Sequence, residues 1–128
     1  ESTENIRVIK NAPHYLVMEA MAKCKFAIFP SVSPECAPTV ALEAMSQRKA
    51  IIASSIGGLK EAVVDGETGI LVPPGNPERL SGAISCLLEN PDVASRMGES
   101  GYKRLAENYT ADATVHKIIE VYRSLIRN

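Results

Sequence analysis

The sequence has almost no excess of charge of either sign: 14 lysines and arginines stand against 15 aspartates and glutamates, for a net charge of -1. The two signs are interspersed, so the basic footprint that nucleic acid or an anionic membrane surface demands is missing. Long apolar runs are missing as well, and none approaches the roughly 20 residues of a membrane-spanning helix. The acidic first residues, Glu1 to Glu4, are the opposite of the basic opening of a secretory leader. A cytoplasmic location is expected, with peripheral attachment at the inner membrane open to a longer parent protein.

Cysteine and histidine are scarce and scattered. Cys24, Cys36 and Cys86 are odd in number and lack C-x-x-C spacing, which suits neither a disulfide framework nor a tetrahedral zinc site. They read as small buried hydrophobes. His14 and His116 have no cysteine or aspartate cluster at ligand spacing and read as surface or packing residues. No bound metal is expected.

What is present fits one globular domain over residues 1–128: 45% of the residues are hydrophobic and 23% charged, with no internal repeats and no low-complexity linkers. Short apolar runs at Ile6 to Ile9, Phe26 to Phe29, Ala50 to Ala53 and Gly69 to Val72 predict strands. Between them lie helical patterns from Pro13 to about Ala22, from Pro38 through Met45 and from Leu59 to Val64. This alternation predicts a parallel sheet covered by helices.

After Val72 the pattern changes. Pro73, Pro74 and Gly75 make a turn, and Asn76 with Pro77 is an N-cap followed by a helix-opening proline. Helices are predicted at Pro77 to Leu88, Asp92 to Met97, Ser100 to Asn108 and Ala111 to Ile126. The last carries Val115, Ile118, Ile119, Tyr122 and Ile126 on one face, which needs a partner surface: the domain's own core or another domain. Four strands are fewer than the roughly five or six of a doubly wound sheet, so the first strands are expected upstream of this chain.

The segment from Phe29 to Met45 is the most informative. A buried strand ends there, a short loop follows and a helix begins. In parallel α/β sheets ligands sit beyond the carboxyl ends of strands, and a helix N-terminus offers an anion free N–H groups and a positive dipole end. A phosphate fits at Thr39 and Val40. Glu35 lies in the loop before the helix and Glu43 just over one turn inside it, tilted back toward the same ligand. Ionised carboxylates accept hydrogen bonds and repel phosphate, so their natural partners are hydroxyls on either side of a diphosphate. A nucleotide sugar carries such hydroxyls at both ends.

Glu35 and Glu43 also have the E-x7-E spacing of retaining group 1 glycosyltransferases of GT-B architecture, the family of sucrose synthases and many mannosyltransferases. Around them, Leu42-Glu43-Ala44-Met45, Lys49 to Ser54, Ile56-Gly57-Gly58-Leu59, Glu61-Ala62-Val63 and Asp65 to Glu78 resemble that family in order. Arg96-Met97-Gly98 and Tyr109-Thr110 extend the resemblance over essentially the whole chain. It implies a Rossmann-like α/β domain with helices on both faces, the C-terminal, donor-binding half of a two-domain enzyme, ending in a helical tail.

The resemblance also assigns roles. Glu35, the expected catalytic-site residue, would bind hydroxyls of the donor sugar and Glu43 the ribose diol. The amides of Thr39 and Val40 would hold the diphosphate, and backbone near Ala37 and Pro38 would line the sugar pocket. Transfer would retain anomeric configuration and need no cofactor, the nucleoside-diphosphate sugar being a substrate. The acceptor, a sugar or lipid, would be held by an N-terminal domain missing from this chain. Many relatives carry Gly, an aromatic residue and Gly where this chain has Cys36, Ala37 and Pro38, and Pro38 supplies no N–H. The arginine and lysine that relatives place on the domain's first strand and loop have no counterpart here, so the chain alone is expected to bind weakly and to transfer nothing. Two alternatives remain: a sugar-nucleotide epimerase of the same architecture, and a non-catalytic nucleotide-binding module.

Overall fold

The structure, a computed structural model, describes residues 5–126. Its elements are α1 (His14–Lys23), β1 (Phe26–Phe29), α2 (Thr39–Ser46), β2 (Ala50–Ser54), α3 (Leu59–Ala62), β3 (Gly69–Val72), α4 (Pro77–Glu89), α5 (Pro91–Asn108) and α6 (Ala111–Ile126). The strands form one parallel sheet in the order β1-β2-β3, with Phe26 opposite Ala50 and Ile51 opposite Gly69.

β2 is buried at every position, as befits a central strand covered on both faces, and its apolar run from Ala50 to Ala53 shows no alternation with polar residues before the buried Ser54. Successive side chains still point to opposite faces, and this splits the core in two. Ile51 and Ala53 face a cluster built by Met21 of α1, Ala41, Ala44 and Met45 of α2, and Leu59 and Ala62 of α3. Ala50 and Ile52 face Ala83 and Leu87 of α4 and Ala94 and Met97 of α5.

The strand expected at Ile6 to Ile9 does not form. A strand needs a neighbour for its N–H and C=O groups, and a lone extended segment is not stable by itself. None of the three strands pairs with residues 6–9, and Ile6, Val8 and Ile9 are exposed. Among the described residues the sheet therefore has three strands, one fewer than the sequence predicts.

The break expected between Met97 and Ser100 is also absent, because α5 runs unbroken from Pro91 to Asn108. Gly98 is a contact residue there and not a helix terminator. A Cβ on it would overlap the carbonyl oxygen of Arg48 just before β2, so glycine lets the helix backbone lie against the strand's amino end. One turn later a Cβ on Gly101 would stand 3.3 Å from Cγ of Met45, a looser contact with a side chain that can give way. α5 thus passes from the Ile52 side of the sheet, where Ala94 and Met97 pack, to the Ile51 side, where Leu105 packs.

Local signals account for the ends of several elements. Asn76 caps α4 by accepting the Arg79 N–H at 2.9 Å, with Pro77 at the first helical position. Arg104 of α5 closes the short α3 by donating to the carbonyl oxygens of Ala62 at 2.9 Å and Glu61 at 2.8 Å, which a four-residue helix leaves unpaired. Buried Thr68 and the backbone of Val64 exchange two hydrogen bonds, 2.9 and 3.0 Å long, that hold the turn into β3. α6 follows α5 and buries none of its residues.

Candidate functional site

The loop of residues 30–38 joins the carboxyl end of β1 to the first turn of α2. Within it Glu35 is exposed, and its carboxylate oxygen Oε1 accepts the Ser31 hydroxyl at 2.9 Å. Glu43 is the fifth residue of α2, about 6 Å along the axis from Thr39 at the usual helical rise. Its Oε1 accepts from Nε2 of His14, at the start of α1, at 2.8 Å. Both carboxylates thus have one oxygen engaged by a neighbouring donor, while the second has no protein partner among the described residues.

The second wall comes from β2. Gly57 and Gly58 follow that strand and press against the Glu35 loop, and Gly58 N–H donates to the Glu35 carbonyl at 2.6 Å. A Cβ at Gly57 would stand 2.7 Å from that carbonyl oxygen, and one at Gly58 would stand 2.7 Å from both Cys36 O and Pro38 Cδ. Gly57 also has φ +52, which side chains disfavour. The Gly-Gly pair is therefore both a turn and a close backbone contact, and what it touches is the loop that carries Glu35.

The backbone donors at the start of α2 are unequal. The Thr39 N–H donates to Ala37 O at 2.9 Å, a bond within the turn, and Pro38 has no N–H. The Val40 N–H has no protein acceptor among the described residues. One free amide, the Thr39 side chain and the positive end of α2 are the groups this turn presents to an anion. Pro38 is buried and opens α2 from the position before it, while Ala37 and Cys36 are exposed. Beside them a cavity of about 170 Å³ is walled by Ala37, Pro38, Leu42, Gly58, Ala62 and Tyr109. A hollow of about 340 Å³, lined by Lys25, Arg48, Lys49 and Leu87, opens at the other, amino end of the strands.

Arg48, which follows α2, has its charge committed elsewhere. It pairs with Glu99, and its guanidinium lies 3.9 Å from the centre of the Tyr102 ring. His116 sits 3.5 Å from Glu120 one turn along α6. The cysteines split: Cys36 and Cys86 are exposed and not buried as expected, whereas Cys24 is half-buried and burial pushes its thiol pKa up. Among the described residues no group of three or more His, Cys, Asp or Glu is placed to hold a metal ion. No helix among them is long and apolar enough to cross a membrane.

His14 and Ser31 are the site residues that sequence reasoning missed. Ser31 lies four residues before Glu35, within reach of a local search for hydroxyl donors. His14 lies 29 residues before Glu43 and meets it only because α1 packs against α2, which no local spacing reveals.

Comparison with known proteins places this architecture. Residues 1–104 match the family model of glycosyl transferases group 1. An uncharacterized glycosyltransferase of Methanocaldococcus jannaschii is 36% identical over 109 residues, covering 85% of this chain and 30% of the relative. The D-inositol 3-phosphate glycosyltransferase of Corynebacterium urealyticum is 31% identical over 120 residues, 94% of this chain and 28% of the relative. Among solved structures, sucrose-phosphate synthase of Thermosynechococcus elongatus superposes with a TM-score of 0.85 at 28% identity, over 98% of this chain and 31% of that one. Anabaena HepE, solved with UDP-glucose, superposes with a TM-score of 0.76 at 25% identity, over 84% of this chain and 30% of that one. The chain spans about 30% of the length of these relatives. With its parallel Rossmann-like sheet, its flanking helices and a match over residues 1–104, the chain belongs to the glycosyl transferases group 1 family, whose GT-B fold it shares in part.

Proposed function

We propose that this chain is the donor-binding part of a retaining glycosyltransferase and takes a nucleoside-diphosphate sugar across the first turns of α2. The observation that carries the reading is the placement of Glu35 before and Glu43 just inside the α2 N-terminus, each with one carboxylate oxygen that has no protein partner among the described residues. An anion-compatible helix end between two hydroxyl acceptors matches a ligand with a diphosphate in the middle and a sugar at each end. That HepE was solved with UDP-glucose supports the same ligand class.

In this reading Glu35 binds hydroxyls of the transferred sugar, Glu43 the ribose diol, and Val40 N–H with the Thr39 side chain the diphosphate. Ala37 and Pro38 line the sugar side. The negative charge that develops on the departing diphosphate is met here by the α2 dipole and one free amide. Oriented donors of this kind stabilise a leaving group because they need no reorganisation as the bond breaks. The two glutamates do not form a hydrolase pair, since each is directed at a different sugar of one donor and neither flanks the scissile bond as acid and nucleophile. Their work is orientation, and no metal or cofactor is needed for it.

Acceptor binding belongs to a second domain. Val121, Tyr122, Leu125 and Ile126 of α6 are exposed, and we read this face as one that meets the acceptor-binding half. The sucrose-phosphate synthase match, which covers 98% of this chain within a protein more than three times as long, supports that arrangement. On its own the chain binds donor weakly and transfers no sugar.

The test is a heteronuclear NMR titration of uridine, guanosine and adenosine diphosphates and their sugars into wild type and Glu43→Ala. Shifts centred on residues 35–43 that weaken roughly tenfold in the variant are expected, about the 1.4 kcal/mol of a charge-assisted hydrogen bond. A wild-type spectrum left unchanged there by every nucleotide would overturn the reading. In the full-length parent protein, incubation with nucleotide sugar with and without an acceptor separates the epimerase alternative, which alone yields an isomerised sugar when no acceptor is present.

A further inference from the structure

The geometry points to His14 as a positioning residue for the donor ribose, acting through Glu43. The inference rests on the reading of Glu43 as the carboxylate that takes the ribose diol. An ionised carboxylate only accepts hydrogen bonds, so at 2.8 Å the imidazole Nε2–H is the donor and Glu43 Oε1 the acceptor. A carboxylate has about four acceptor positions, two on each oxygen. His14 uses one and leaves the rest for the two hydroxyls of a diol, so imidazole and ribose are held together and need not displace one another.

Stability does not account for this contact. The His14 side chain is 71% exposed and that of Glu43 30% exposed, and ion pairs so open to water contribute little to folding. The contact does restrict a long side chain that would otherwise sample many rotamers and would have to be frozen when the sugar arrives. α1 brings the donor to a fixed place, because its first turn is closed by the Leu16 and Val17 N–H groups bonding to Pro13 O, at 3.0 and 3.3 Å, and Met21 further along is packed into the core. Ser31 holds Glu35 in the same way on the other side of the α2 N-terminus. Each glutamate is thus oriented by a neighbour before any ligand is present, one from its own loop and one from another helix.

The experiment measures dissociation constants of UDP, GDP and ADP, and of their 2′,3′-dideoxy counterparts, for the 128-residue chain. It uses wild type, His14→Ala, His14→Gln, Glu43→Ala and the double variant His14→Ala/Glu43→Ala. His14→Ala is expected to weaken the ribonucleotide about fivefold, the cost of freezing one side chain, and to leave the dideoxy form unchanged. His14→Gln, whose amide N–H can still donate, recovers most of the loss. In the Glu43→Ala background the histidine substitution adds nothing, as two residues acting on one contact require. Equal weakening of ribo- and dideoxynucleotide, no effect on either, or a loss that persists without Glu43 would each refute the role of His14 while leaving Glu43 in place. Wild type that fails to prefer ribose over dideoxyribose would remove the diol reading of Glu43, and the inference with it.

Discussion

The carbonyl oxygen of Glu35 accepts the N–H of Gly58 at 2.6 Å, so the loop that carries the first glutamate is held by the turn that follows the central strand. Position 58 has no room for a side chain, because a Cβ would stand 2.7 Å from Cys36 O and from Pro38 Cδ. Gly58→Ala is expected to push residues 35–38 outward and to cost about 1–3 kcal/mol, the usual range for overpacking. Urea denaturation measures the stability term. If the loop positions Glu35, nucleotide-sugar affinity falls by more than nucleoside-diphosphate affinity in the same variant.

Two helix glycines should respond with opposite signs. Gly98→Ala drives a methyl group into the Arg48 carbonyl and is expected to destabilise by about 3 kcal/mol, at the upper end of overpacking effects. Gly82 of α4 has open space around its Cβ position and an ordinary helical φ, so Gly82→Ala gains about 1 kcal/mol from helix propensity. Thermal melts of the two variants beside wild type decide it, and a Gly98→Ala protein as stable as wild type would contradict the close approach of α5.

Thiol alkylation should rank the three cysteines. Cys24 is half-buried, its thiol pKa is raised by desolvation, and its Sγ–H donates to Met21 O at 3.2 Å. The thiolate is the reactive form, and burial lowers its population at any given pH. Iodoacetamide labelling followed by mass spectrometry is expected to modify exposed Cys36 and Cys86 first and Cys24 last. Raising the pH shortens the lag of Cys24 as more of it ionises.

Polar substitutions on the outer face of α6 separate folding from assembly. Val121→Ser and Tyr122→Ser change exposed residues, so the stability of the 128-residue chain should move by no more than about 0.5 kcal/mol. If that face meets an acceptor-binding half, the same pair weakens association with it, which analytical ultracentrifugation of the mixture reads. A loss of several kcal/mol in the chain alone would show instead that α6 already packs against its own domain.

Much of the fold was legible because β1, β2 and β3 are short β-branched and apolar runs bounded by turn residues, and because Asn76-Pro77 is a complete helix-start signal. Two misreadings share one cause: the deciding partner is remote in sequence. Ile6 to Ile9 has the composition of a strand, but strands exist only in pairs and none of the described strands adjoins it. Gly98 reads locally as a helix breaker, yet it is the residue that admits the Arg48 carbonyl. At the site, the E-x7-E spacing placed Glu35 before and Glu43 within α2. It could not show that the Thr39 N–H turns back to Ala37 O, that the Gly57-Gly58 turn supports the Glu35 loop, or that His14 meets Glu43.

The course of α5 ties the two halves of the core into one cooperative unit. Ala94 and Met97 in its first turns pack into the Ile52 cluster and Leu105 near its end packs against the Ile51 cluster, with Gly98 between them, so release of α5 is expected to loosen both faces of the sheet. The β2 amides should then exchange with solvent only through a shared opening that also releases α5, and α6, with nothing buried, should exchange long before them. The donor loop is braced on this slow-opening centre through Gly58, while the helix proposed to meet the acceptor half belongs to the fast-exchanging periphery.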